Sequence, residues 1–330
     1  MVNKVPPRST FAALLALGLA IAPASAQQAR SFVSAGFGND ANAPNCTRTS
    51  PCRTFQAAHN GTLANGEITV LDPGSYGGVT ITQNISIVND GVGEAGILVS
   101  GGGTGINVNA PAGASVTLRG ITIKGIGFGG GDGIAFTSGA ALNIENCTIR
   151  NLDGANLGNG IMFLPNAAAA LQVTNTIVSD NAGSGIFAVG SSANAIGVLD
   201  HVGLYNNAAA GVNVVGATSP GGTITITVTD SVAGNNGAGP VVIGGGFVAQ
   251  AAPGTGAVRL VLLRSASVLN PNNGIVAAGP GASVTVNQST VFNNASGWLP
   301  ETGGVITTFG NNAVIANAAN EGPQTPANLK

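Results

Sequence analysis

The stretch Ala141–Asn151, ALNIENCTIRN, repeats the pattern of Ser115–Gly125, SVTLRGITIKG, 26 residues upstream. Apolar residues coincide at Val116/Leu142, Leu118/Ile144, Ile121/Cys147 and Ile123/Ile149, and the cations Lys124 and Arg150 coincide as well. The echo continues along the chain. A Gly followed by an apolar run recurs at Gly105, Gly133, Gly160, Gly185, Gly211, Gly239, Gly274 and Gly304, at steps of 25 to 35 residues. Behind each marker but the last comes a run of period two (ASVTL, AALNI, AALQV, AIGVL, TITITV, AVRLVLL, ASVTV), then a polar turn. A third short run comes next and ends in Asn (TIRN, TIVSDN, HVGLYNN, SVAGNN, SVLNPNN, TVFNN).

Alternation of period two is the signature of a strand, and Gly, Asn, Asp and Pro mark the turns between strands. No helical period appears inside a unit. Units of this length point to a solenoid, a propeller or an array. A propeller blade needs about 40 residues and four antiparallel strands, and a leucine-rich repeat needs Leu at fixed offsets beside a helical half. Neither fits. The remaining solution is all-β: a parallel β-helix with three short strands per coil and roughly eight to ten coils, stacked about 4.8 Å apart. In such a stack, like residues fall into files. The file Gly120, Asn146, Asn175, Asp200, Asp230, Asn287 reads as a turn ladder, because Asn tolerates the left-handed conformation and passes amide hydrogen bonds along a stack.

Composition agrees with a narrow core of small and β-branched side chains. Aromatics are 4% and charged residues 7% of the chain, against roughly 25% charged in ordinary domains. The first 26 residues read as a secretory signal peptide: Lys4 and Arg8, an apolar run Phe11–Ala22, and small residues Ala24 and Ala26 before the cut. Export, extracellular or periplasmic, is therefore expected. No segment is long enough to span a bilayer, which takes about 20 apolar residues. Loss of Lys4 and Arg8 takes the formal charge from −2 to −4, and with no basic run nucleic acid is not an expected partner. Cys46 and Cys52 are placed for a disulfide in an exported chain, while Cys147 falls in an apolar file.

The expected organisation is an N-terminal extended segment, disulfide loop and cap over residues 27–65, a β-helix over 66–317, and a tail over 318–330. Thr54 reads as the N-cap of a short helix led by Phe55 over the end of the solenoid. The segment GWLPETGG, with Trp298, reads as an outward loop or part of a C-terminal cap.

The stretch SFVSAGFGNDANAPNCTRTSPCRTFQAA, succeeded by GEITVLDPGSYGGVTITQNISI, resembles the N-terminal part of secreted right-handed parallel β-helix repeat proteins of the pectin/pectate-lyase-like superfamily, specifically its members without assigned activity. The resemblance implies the handedness of the coil. It carries no catalytic residue over: the Asn-Thr-Asp, Asp-Asp, Gly-His-Gly and Arg-Ile-Lys motifs of the hydrolases are absent, as is the lyases' pattern of clustered Asp and an Arg base.

Candidate site residues are accordingly few. Asp132 and Asp153 precede consecutive Gly markers and could share an edge, one coil apart, as a carboxylate pair. Asp200, His201 and Tyr205 could form a surface patch, with register uncertain by one residue around His201; a buried His201 is the competing reading. Lys124 and Arg150 stack as a basic spot that could bind an acidic sugar, and Arg119 and Glu145 should pair. No metal set or cofactor is expected, with Ca2+ entering only under a lyase alternative. The leading expectation is a secreted, non-catalytic β-helix presenting a flat face to polysaccharide, cell surface or matrix; the alternative is a lyase or hydrolase of an acidic polysaccharide.

Overall fold

The computed structural model of the chain describes residues 2, 27–126, 129–154, 158–218, 221–240, 243–320 and 325–327. The leader expected over residues 1–26 lies outside them apart from Val2. Each repeat folds as one coil of three strands, and equivalent strands of successive coils pair in parallel to give three sheets of twelve, ten and nine strands. In chain order a coil visits the twelve-stranded first sheet, the ten-stranded second sheet and the nine-stranded third sheet. Nine coils are complete, which at about 4.8 Å each makes a rod of roughly 40 Å.

The files form as the sequence echo requires. Val116 pairs with Leu142 and Leu118 with Ile144 on the first sheet, and Ile123 lies beside Ile149 on the second. All six are buried. Strands this short bury alternate residues because only one face of each sheet looks into the coil.

Two expectations about the markers are corrected. The equivalent Gly of the coil after Gly211 is Gly246, not Gly239, since a Cβ on Gly211 would meet the carbonyl of Gly246 at 2.6 Å. An insertion around residues 237–245 delays that strand, and its apolar run imitated the marker. The last marker is likewise Gly297, which faces Gly274, rather than Gly304. Trp298 is consequently in a strand, Ser296–Glu301, beside Ile275 and nearly fully buried. At the C-terminal end Thr325–Pro326 adds a last pair to the first sheet.

The N-terminal end is tied down by several groups. Strand Gln28–Val33 pairs with the first strand of the solenoid, Thr62–Val70. The helix Phe55–Gly61 is capped by Thr54, whose hydroxyl accepts from the Ala57 N–H. Phe55 and Ala58 are buried in the main core, so the helix is packed into the bottom of the rod. Cys46 and Cys52 form the disulfide. Asp72, in the stretch VLDPGSY, accepts from the Ser34 hydroxyl at 2.7 Å, from the N–H groups of Ala35 and Gly36 at 2.6 and 3.0 Å, and from the Tyr76 hydroxyl at 2.7 Å. Burial alone raises the Asp72 pKa, but these bonds to the ionised form outweigh it and hold the carboxyl at about 2.

Two turns bracket the second sheet. The first turn, leading into it, places Gly120, Asn146, Asn175, His201, Asp230, Arg264 and Gln288 in the left-handed conformation. Asp200 and Asn287 lie one residue earlier, at the end of their strands, where Asp200 pairs with Thr174 and Thr229. The expected turn ladder is therefore corrected at those two members. The second turn, leading out, has Asn151, Asp180, Asn206, Asn235, Leu269, Asn293 and Ala316 left-handed. The residues after them include the true amide ladder: Asn181, Asn207, Asn236, Asn270, Asn294 and Asn317, each amide donating to the carbonyl oxygen of the next at 2.7 to 3.4 Å.

The third sheet is partly covered on its outside: Ala210, Val248, Val276 and Ala278 form a small second cluster with Ile243 and Leu299 against it. The middle of the second sheet carries no such cover among the described residues, and its outward residues Ile177, Tyr205 and Phe292 are exposed.

Candidate functional site

The outward face of the second sheet carries two files. One runs Thr122, Thr148, Ile177, Gly203, Val232, Ala266, Thr290; the other runs Lys124, Arg150, Ser179, Tyr205, Gly234, Val268, Phe292. Charge is confined to the early coils. Lys124 and Arg150 do stack, but Lys124 is engaged by Glu94 at 2.7 Å, which leaves Arg150 as the free cation of that spot among the described residues. Arg119 lies closer to Asp90, at 3.2 Å, than to its expected partner Glu145, at 3.9 Å.

Beyond Ser179 the face is uncharged and low. Tyr205 lies down on it. A Cβ placed on Gly203 would come within 2.6 Å of the Tyr205 ring and 3.2 Å of its hydroxyl, and one on Gly234 would touch the ring at 3.4 Å. The ring is thus directed back along its strand toward the first turn and rests between two glycines, with 38% of the residue exposed.

At that first turn four ionisable groups converge. Asp200 ends its strand beside Thr229, and His201 and Asp230 are the left-handed residues of consecutive coils. Among the described residues this is the one group of three potential ligands, one atom from each of Asp200, His201 and Asp230 lying within 4.8 Å of the others. His201 is exposed, not buried. Its Nδ1 stands 3.1 Å from Asp200 Oδ1, close enough to pair the imidazole with the carboxylate. The Thr229 hydroxyl donates to the same Asp200 oxygen at 2.7 Å. That hydroxyl chiefly, with His201 adding to it, holds the Asp200 carboxyl below the usual range against a smaller opposing effect of burial. Arg264 grips Asp230 with two parallel bonds of 2.9 and 2.7 Å, which lowers the Asp230 pKa and raises that of Arg264.

A calcium ion takes about six to eight oxygen ligands. Here both Asp230 oxygens are committed to Arg264 and the third group is an imidazole, so the donor set does not fit calcium.

The remaining candidates do not join this corner. Asp132 Oδ1 accepts from the backbone and side-chain amides of Asn159 at 2.8 and 2.9 Å. Asp153 Oδ1 accepts from the Gly130 N–H at 3.3 Å. Each carboxylate ties a loop of one coil to the next. Sequence reading missed Arg264, because the insertion between coils separates it from Asp230 by 34 residues and hides that they are neighbours. It also missed a short exposed ladder on the opposite edge, where Asn235 donates to Asn206 at 2.9 Å and Asn206 to Asp180 at 2.8 Å. The run of Asn-Asn pairs was its signal.

No protein-family model and no curated protein matches the sequence. Among solved structures the chain is similar to pectate lyase Pel9A, at 18% identity and a TM-score of 0.63, over 89% of this chain and 80% of that one. It is also similar to the GH136 lacto-N-biosidase from Eubacterium ramulus, at 11% identity and a TM-score of 0.54, over 90% of this chain and 67% of that one. These likenesses show the fold, a right-handed parallel β-helix.

Proposed function

We propose that the chain is an exported, non-catalytic β-helix that presents the open face of its second sheet to polysaccharide, at a cell surface or in a matrix. The observation that carries this reading is the character of that face. Over four successive coils its eight outward positions, Gly203, Tyr205, Val232, Gly234, Ala266, Val268, Thr290 and Phe292, are all uncharged. A contiguous, low, apolar strip on a solenoid is the kind of exposed patch that marks an interaction surface. The solved structures of this fold named above include a pectate lyase and a lacto-N-biosidase, which favours a saccharide over other partners. The disulfide and the leader-like first 26 residues favour export.

A second reading, an enzyme acting on acidic polysaccharide, draws on the corner at the first turn. An imidazole 3.1 Å from a carboxylate is a pairing a general base can use, and Arg264 is a cation beside it. One experiment separates the readings. The purified protein is incubated with polygalacturonate and with alginate, and reducing ends, unsaturated products and retention on the polymer are monitored together. Retention on at least one polymer, neutral polymers tested alongside included, with no products from the acidic ones, is expected. Products that disappear in His201→Ala would establish the enzyme, and neither retention nor products on these or neutral polymers would sink both.

A further inference from the structure

We infer that the strip around Tyr205 is a binding site for a neutral glycan, seated with a pyranose ring on the Tyr205 ring and its chain running along the rod axis. This inference rests on the binding function proposed above and specifies its ligand and its place.

The floor is built for a flat ligand. A tyrosine on a sheet face ordinarily stands out from it. Here the two neighbours that would lift the ring are both glycine: a Cβ on Gly203 would overlap the ring edge at 2.6 Å, and Gly234, one coil on, pairs directly with Tyr205. The ring therefore offers its π-face to solvent, and the apolar face of a pyranose is a match in size and polarity. Phe292 lies on the same file three coils further on, about 14 Å along the axis, so a second contact is in line with the first.

The rims supply hydrogen bonds on both sides. Toward the first turn stand Asp200, His201 and Asp230. Toward the second turn stands the exposed ladder of Asp180, Asn206 and Asn235. It ends at Asn235 because the next left-handed residue is Leu269, and this leaves the Asn235 carbonyl oxygen to accept from a hydroxyl. Two polar rims with an aromatic floor between them define a track parallel to the axis.

Charge decides between neutral and acidic glycans. Asp180, Asp200 and Asp230 surround the floor, and the one guanidinium among them, Arg264, is taken up by Asp230. The free cation Arg150 sits two coils away on the same file, about 10 Å, beyond the Debye length of about 8 Å at physiological salt. A uronate placed on Tyr205 would meet like charge with no counter-ion, whereas neutral hydroxyls can donate to these carboxylates.

The test is native affinity electrophoresis through gels holding hydroxyethylcellulose, galactomannan, arabinoxylan or polygalacturonate. The wild type should be retarded by at least one neutral polymer. Tyr205→Ala should weaken that interaction about tenfold. Gly203→Ala, whose new methyl first meets the movable end of the Tyr205 side chain, should weaken it several-fold, and Tyr205→Phe should retain it. All three substitutions are at positions that face outward, so unchanged melting temperatures will show that the fold is intact. Retardation by polygalacturonate alone would leave the binding function standing and overturn this inference. So would equal retardation of wild type, Tyr205→Ala and Gly203→Ala by a neutral polymer. Retardation by no polymer would remove the binding function itself.

Discussion

The two turns that bracket the second sheet bend the chain through the same left-handed residue, yet they differ in the side chain placed immediately after it. After the second turn comes Asn in six consecutive coils, from Asn181 to Asn317. After the first turn come Cys147, Thr176, Val202, Ser231, Ser265 and Ser289. Both sets point inward. The amide must meet its neighbours below and above at once: Asn236 donates to the Leu204 carbonyl and toward Asn270, and accepts from the backbone and side chain of Asn207. On the first turn the hydroxyl donates to a carbonyl two residues earlier in its own coil, as in Thr176, Ser231 and Ser289. It accepts one backbone N–H from the preceding coil, as Thr176 does from Cys147 and Ser231 from Val202, but it has no second donor with which to join its neighbours side chain to side chain as the amides do. Cys147 can take the place, its thiol facing the Glu145 carbonyl at 3.3 Å, and burial pushes that thiol up to about 11. The left-handed residues themselves point outward and are held only to a backbone conformation, which Gly, Asn and Asp meet at least cost. They are where the sequence is free to vary, and the ionisable corner stands there.

Mutation can test whether the two turns differ in this way. Asn236→Ala should be the most damaging change, costing about 2–4 kcal/mol, because it strands the buried N–H groups of Asn207 as well as removing its own bonds; denaturant unfolding measures it. Ser231→Ala in the other file, which leaves only the Val202 N–H unmet, should cost less, about 1–2 kcal/mol. Equal losses would mean that the amide ladder carries no special weight.

Acid probes a related contrast, between a carboxylate committed to backbone amides and carboxylates left on the surface. The folded pKa of Asp72, about 2, lies below its ordinary value of 3.8. Its contribution is therefore complete above about pH 4 and lost as pH falls toward 2. Asp72→Asn should flatten the acid limb of the stability curve. Asp200 is depressed too, so the sign is the same, but its carboxylate is on the surface and Asp200→Asn should change that limb little. At neutral pH Asp72→Ala should cost about 1–2 kcal/mol by leaving the Gly36 amide unmet and the Ala35 amide with only its longer bond to the Tyr76 hydroxyl.

The smallest effect belongs to the outward file. His201→Asn should leave stability within about 0.5 kcal/mol of wild type, or slightly raise it, because Asn accepts the left-handed conformation more readily than His. Thermal unfolding checks this.

Most of the fold was legible because inward files are dictated by one repeated environment. Val116/Leu142 and Ile123/Ile149 could be aligned by apolar pattern alone, and they pair as aligned. Register failed at AIGVLDHVG because its pattern is inverted: Gly197 occupies an inward position while Ile196 and Val198 point out and are exposed. Propensity then drew the turn to Asp200, when the chain in fact bends at His201. A one-residue slip exchanges the faces of a strand, which is why His201 could be read as buried. The corner itself was half visible. Asp200, His201 and Tyr205 are close in sequence, whereas Asp230 and Arg264 join them only through the stacking of coils. Gly203 and Gly234 gave no signal of their own, since a glycine that accommodates a ring looks the same in sequence as one that forms a turn.

The chain has two tyrosines. Tyr76 is fully buried and Tyr205 is exposed, so the ring assigned to the glycan floor can be interrogated against an internal control. Nitration by tetranitromethane, read out by peptide mass spectrometry, should modify Tyr205 readily and Tyr76 hardly at all. In the presence of a neutral polymer that retards the protein, nitration of Tyr205 should slow several-fold. An unchanged Tyr205 rate with that polymer bound would place the glycan elsewhere on the rod.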